Sequence, residues 1–165
     1  MPRIFTAIRF DDGFKSRLVA LQDALRERGV RGDYCPYGNL HMTLSFNCEN
    51  LHLLPEIRQA VSEVEFEPFT VTLDHLGTFA PKNCVIWVSV KEREAMTAIA
   101  DRLRERLDAY GVPYSTLPFY PHISLVKRPS AIVTDIRIPP ATARVEQIHV
   151  MRSERIGGEL VYSET

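Results

Sequence analysis

Two short strings carry the residues with the clearest chemical potential: HMTLSF at residues 41–46 and HISLVK at residues 122–127. Polar and apolar types alternate in both, the period of a β-strand. That period puts His41 and Thr43 on one face, about 6–7 Å apart along the strand, and does the same for His122 and Ser124. Met42, Leu44 and Phe46 are expected to anchor the first strand from its other face. Imidazoles change charge near neutral pH, so two of them suit concerted acid-base chemistry. Breaking a phosphodiester needs a base to activate the attacking oxygen and an acid to protonate the departing one, on opposite sides of phosphorus. The Thr43 and Ser124 hydroxyls would hydrogen-bond the non-bridging oxygens, where charge must be held. Zinc would need three or four convergent ligands. Each motif offers one histidine with no acidic or cysteine partner at ligand spacing, so neither a metal nor another cofactor is expected.

The two strings are parts of a longer repeat. With Ile4 laid on Val85, IFTAIRF (4–10) falls on VIWVSVK (85–91). In the same alignment Leu18, Leu21 and Leu25 fall on Ile99, Leu103 and Leu107 to within a position, and His41, Thr43 and Leu44 fall on His122, Ser124 and Leu125. Strand, helix, stop, loop and motif recur in order. Two copies of such a unit suggest a pseudo-two-fold structure with the motif strands facing across a shared cleft. Ser45 shares the parity of His41, but its counterpart is Val126, and it is left out of the site.

The elements that must position these strands are legible from pattern. Residues 4–10 read as a strand, 14–28 as a helix stopped by Gly29, and 69–79 and 84–90 as strands. Pro55 opens a helix carrying Ile57, Val61 and Val64. Residues 92–110 form another, with Met96, Ile99, Leu103, Leu107 and Tyr110 on its stripe. Residues 145–152 read as a strand, and Gly157-Gly158 as a hairpin turn into 159–163. Between Pro129 and Pro140 no period is evident.

At 165 residues the chain fits a single domain, 1–165, with repeat halves of roughly 1–80 and 81–165. A net charge of −1 gives no field for gripping a long duplex, so a nucleic-acid ligand should be small or met at one local site. Cys35, Cys48 and Cys84 are widely spaced and odd in number, which suits reduced thiols. With no apolar leader or spanning run, a cytoplasmic protein is expected. His52 is expected near a helix start, His75 at a strand end and His149 on a solvated sheet face, none of them catalytic.

Paired H-x-[ST]-apolar motifs, one in each half of the chain, resemble the two-histidine (2H) phosphoesterase superfamily, and within it the RNA 2′,3′-cyclic phosphodiesterase or 2′-5′ RNA ligase group. The resemblance spans almost the whole chain, including FTAIRF, NLHMTLSF, the turn Gly77-Thr78-Phe79, VIWVSV, PFYPHISL and RSERIGGELVYS. It implies an α+β fold of two lobes, each an antiparallel sheet with outer helices, around a central cleft. It implies His41 and His122 as the catalytic pair and Thr43 and Ser124 as phosphate ligands. Relatives commonly carry Arg shortly after the second motif; here Lys127 stands in that place with Arg128 beside it, and both are expected to help bind the phosphate. Lys127 supplies charge without a bidentate fork.

The expected reaction is metal-independent hydrolysis of a 2′,3′-cyclic phosphate at an RNA or nucleotide end, to a 2′-phosphate. Which histidine is acid and which is base stays open. The same site could serve 2′-5′ or cyclic oligonucleotides or 2′-5′ ligation. A non-catalytic RNA-end or nucleotide-binding protein is the rival of another class. Tyr37 and Tyr120 are candidates for base stacking. Partners are expected to be RNA termini or small cyclic nucleotides, with a monomeric chain and neither membrane nor protein partner.

Overall fold

A computed structural model describes residues 2–165. Strand β1 (Arg3–Arg9) is buried along its five inner residues. Helix α1 (Asp12–Glu27) starts where the Asp11 carboxylate accepts from the Phe14 N–H at 2.8 Å, and buries Phe14, Leu18, Leu21 and Leu25. It stops at Gly29, with φ +83°, where the Val30 N–H turns back to the Leu25 carbonyl. Helix α3 (Arg93–Ala109) stops the same way: Gly111 has φ +68° and the Val112 N–H bonds the Leu107 carbonyl. Val30 and Val112 are both buried. The repeat therefore extends to how its helices end.

The remaining elements are β2 (Asp33–Tyr34), β3 (His41–Cys48), α2 (Leu54–Ser62), β4 (Phe69–Gly77), β5 (Val85–Val90), β6 (His122–Lys127), β7 (Thr142–Val145), β8 (His149–Ile156) and β9 (Glu159–Glu164). One antiparallel sheet runs β3-β1-β8-β9; the other runs β2-β6-β5-β4-β7. Strand for strand, β3 matches β6, β1 matches β5, β8 matches β4 and β9 matches β7. The chain thus exchanges strands: β2 and β4, from its first half, lie in the second lobe, and β8 and β9, from its second half, lie in the first. The helix stripes and the outer faces of both sheets share one continuous apolar core.

The loops after α1 and α3 cross over as well. The Cys35 N–H bonds the Leu125 carbonyl on β6, while the Ser115 N–H bonds the Phe46 carbonyl on β3, both at 2.9 Å. Each motif strand is tied by the loop that precedes the other, and β3 and β6 pack together between the lobes.

One expectation needs correction, and one strand was not expected. Residues 145–152 are not one strand: β7 ends at Val145 in the second sheet and β8 begins at His149 in the first. The two-residue β2 had no sequence signal, because a pair that short has no period to read. Among the described residues no helix is long and apolar enough to cross a membrane.

Candidate active site

The motif strands carry the same irregularity at the same place. On β3, Thr43 pairs with Ala7 and Ser45 with Thr6, so Leu44 is the extra residue of a β-bulge. On β6, Ser124 pairs with Trp87 and Val126 with Ile86, leaving Leu125 extra. The buried Gln22 amide donates to the Leu125 carbonyl at 3.0 Å and so satisfies the bulged backbone. These registers align β1 with β5 one position out of step with the motif strands, so Ala7, not Thr6, corresponds to Trp87.

A bulge reverses side-chain parity beyond it, which corrects the reading of HMTLSF. Met42 and Leu44 are buried as expected, but Phe46 is 59% exposed on the face of His41 and cannot anchor the strand. Ser45 turns inward, 2.7 Å from the buried Thr6 hydroxyl, and donates to Asn47 at 2.9 Å. On β6 the same reversal sends Val126 into the core and returns Lys127 to the face of His122 and Ser124. Lys127 and Phe46 are therefore counterparts.

Both imidazoles are held from two residues upstream. His41 Nδ1–H donates to the Asn39 carbonyl at 2.6 Å, and His122 Nδ1–H to the Tyr120 carbonyl at 2.7 Å. This places the proton of the neutral ring on Nδ1 and leaves each Nε2 as the reactive nitrogen. His41 Nε2 lies 2.6 Å from the Thr43 hydroxyl, which donates to it. Ser124, the counterpart of Thr43, is half-buried on the face of His122. Asn39 is itself buried and donates through its side chain to the Leu160 carbonyl. Neither carbonyl was singled out from the sequence, although Asn39 and Tyr120 are counterparts in the same alignment as His41 and His122, and the repeat could have found them.

Aromatic walls seat the rings. Phe5 and Tyr162 lie 5.1 and 5.2 Å from His41, while Phe79 and Trp87 lie 4.9 and 6.1 Å from His122. Burial pushes the His41 pKa down from 6.5 to about 4, opposed by the Asn39 bond and assisted by the positive charges of Lys127 and His122. Burial lowers His122 also, against the Tyr120 bond. Lys127 and His122 both belong to β6, which packs against β3, the strand of His41.

The other candidates separate. Arg128 follows the end of β6 with φ +49°, and its guanidinium pairs with Asp33 at the exposed sheet edge. It is committed there, whereas Lys127 makes no ion pair among the described residues. Tyr37 donates to Asp12 and lies under Lys15, fastened to the start of α1. Tyr120 packs against Trp87 at 5.2 Å, beside His122. Burial pushes the Cys35 thiol up to about 11, and all three cysteines are unpaired. His52 is exposed in a single helical turn before α2, and His75 lies near the end of β4. His149 corrects another expectation: its side chain is only 15% exposed, bonded to Glu164, and lies across Ala7 from Thr43 on the same sheet face. Among the described residues, no three His, Cys, Asp or Glu side chains gather as metal ligands.

A two-lobed antiparallel fold with one H-x-[ST] strand from each lobe defines a two-histidine phosphoesterase site. The sequence model of the 2'-5' RNA ligase superfamily matches residues 17–157, and the chain belongs to that family. It is 32% identical over 142 residues to the RNA 2',3'-cyclic phosphodiesterase of Archaeoglobus fulgidus, covering 81% of this chain and 78% of that one. It is 33% identical over 107 residues to the Escherichia coli enzyme of the same name, covering 62% of this chain and 57% of the relative. The crystal structure of E. coli LigT in apo form superposes with a TM-score of 0.83 at 24% identity, covering 99% of this chain and 94% of that one.

Proposed function

We propose that this chain hydrolyses 2′,3′-cyclic phosphate at RNA or nucleotide ends, with His41 and His122 as its acid-base pair and no metal. The observation that carries this reading is the matched pair of imidazoles, each fixed through Nδ1, with His122 Nε2 unbonded among the described residues and His41 Nε2 held only by the Thr43 hydroxyl. One Nε2 removes a proton from water as it attacks phosphorus. The other, protonated, delivers its proton to the departing ribose oxygen. The P–O bond of the ring breaks as the new P–O bond forms, and the histidines exchange protonation states over the cycle.

Thr43 and Ser124 donate to the non-bridging oxygens, and Lys127 supplies a positive charge from the same face. Thr43 already donates to His41 Nε2, so its hydroxyl turns to the phosphate as that nitrogen takes up its proton. The names of the relatives support the substrate class. In free enzyme both rings favour the neutral state; an arriving phosphate anion favours protonating one of them. Product regiochemistry follows from which ribose oxygen leaves, and loss of the 3′ oxygen gives the 2′-phosphate. The test is an assay with chelator present on a nucleoside 2′,3′-cyclic phosphate, with products separated as 2′- and 3′-phosphates. No turnover, or turnover only after metal is added, would refute it.

A further inference from the structure

The second lobe carries a polar cluster that neither motif includes. On β4, Leu73 pairs with Val90 and Leu76 with Val88, so Asp74 and His75 together oppose Ser89. Ser89 also pairs with His122 on its other side. The bulge therefore places Asp74 and His75 on the cleft face, two strands from His122, a backbone separation of roughly 10 Å. His75 Nδ1 lies 3.0 Å from both the Asp74 carboxylate and the Ser89 hydroxyl. Among the described residues its Nε2 makes no hydrogen bond, and the side chain is 49% exposed. Arg93, also half-exposed, reaches the Tyr120 hydroxyl at 3.4 Å and lies 3.9 Å from Asp74. That leaves most of its five N–H donors free.

Trp87 fills the interval, with ring centroids 6.1 Å from His122 and 5.8 Å from His75. Its indole N–H is buried without an acceptor. Polar groups therefore stand at both ends of this wall, His122 at one and His75 with Arg93 at the other.

We propose that His75 and Arg93 bind the phosphodiester on the 5′ side of the terminal nucleotide, so that the preferred substrate is an RNA oligonucleotide end and not a free nucleoside cyclic phosphate. The inference rests on the function proposed above. Asp74 and Ser89 orient the His75 ring through Nδ1 and leave its Nε2 edge to the phosphate. Arg93 adds charge-assisted bonds to the same group.

The test compares adenosine 2′,3′-cyclic phosphate with the dinucleotide ApA ending in the same cyclic phosphate, using wild type, His75→Ala and Arg93→Ala. Wild type is expected to show a KM about tenfold lower for the dinucleotide, and each variant to remove that advantage with kcat held within about twofold. Equal effects on both substrates, or a wild type that treats them alike, would overturn the inference. A binding measurement needs no turnover: calorimetry with the 2′-phosphorylated dinucleotide and mononucleotide should show the same His75-dependent preference, and equal affinities would overturn it. Inactive wild type with that preference intact would instead refute the proposed reaction alone.

Discussion

In the first lobe His41 hangs from the Asn39 carbonyl beside Phe5 and Tyr162; in the second His122 hangs from the Tyr120 carbonyl beside Phe79 and Trp87. Both motif strands bulge at the matching leucine, Leu44 or Leu125. What surrounds the rings differs. Lys127 on one side faces the place of Phe46 on the other. The small Ala7 pairs with His149 in the first lobe, while the large Trp87 pairs with Gly77 in the second, so bulk has moved between neighbouring strands. The repeat has kept the parts that aim an imidazole and varied the parts that decide what approaches it.

The sharpest way to break this comparison is to remove each imidazole alone. His41→Ala and His122→Ala should each lower kcat by roughly a thousandfold, and the double variant by little more, because acid and base act in one step. A large difference between the singles, read from steady-state rates, would make the lobes unequal in chemistry. Next is the charge. Lys127→Ala should reduce kcat/KM by about 10- to 100-fold, whereas Phe46→Ala should spare affinity for inorganic phosphate measured by calorimetry.

Smaller effects test the walls. At Gly77 an added Cβ would overlap the Trp87 indole, so Gly77→Ala should cost about 1–3 kcal/mol in urea unfolding. Ser45→Ala strands the Thr6 hydroxyl in the core and should cost about 1 kcal/mol by the same measurement. The depressed His41 pKa adds a pH signature. Between pH 6.5 and about 4 the unfolded chain binds a proton that the folded site refuses. Stability from this group is therefore complete above 6.5 and is lost as pH falls through that window. A His41→Asn variant should show a flatter dependence of unfolding free energy there.

Much of this was legible in the sequence because the repeat supplied a second copy of every signal. His41 with Thr43 is weak alone, but His122 with Ser124 at the same offset made both visible. Gly29 and Gly111 fixed the helix ends. The bulges were hidden, since an extra residue in a strand costs the pattern nothing until its partner strand is known. Parity alone therefore misplaced Ser45 and Phe46. Strand exchange between the lobes was hidden for the same reason: β4 and β8 read as strands wherever they pair. Arg128 looked equivalent to Lys127 because adjacency in sequence says nothing about the positive φ between them or about Asp33.

The central claim, two imidazoles exchanging protons across one phosphate, is tested most directly by the pH dependence of kcat/KM on a nucleoside 2′,3′-cyclic phosphate with excess chelator. That constant reports the free enzyme, in which both imidazoles titrate below 6.5. The expected result is a bell with its maximum on the acidic side of 6.5, unchanged by chelator, because activity needs one ring protonated and the other neutral. A profile rising to a plateau above neutrality, or activity abolished by chelator, would contradict it.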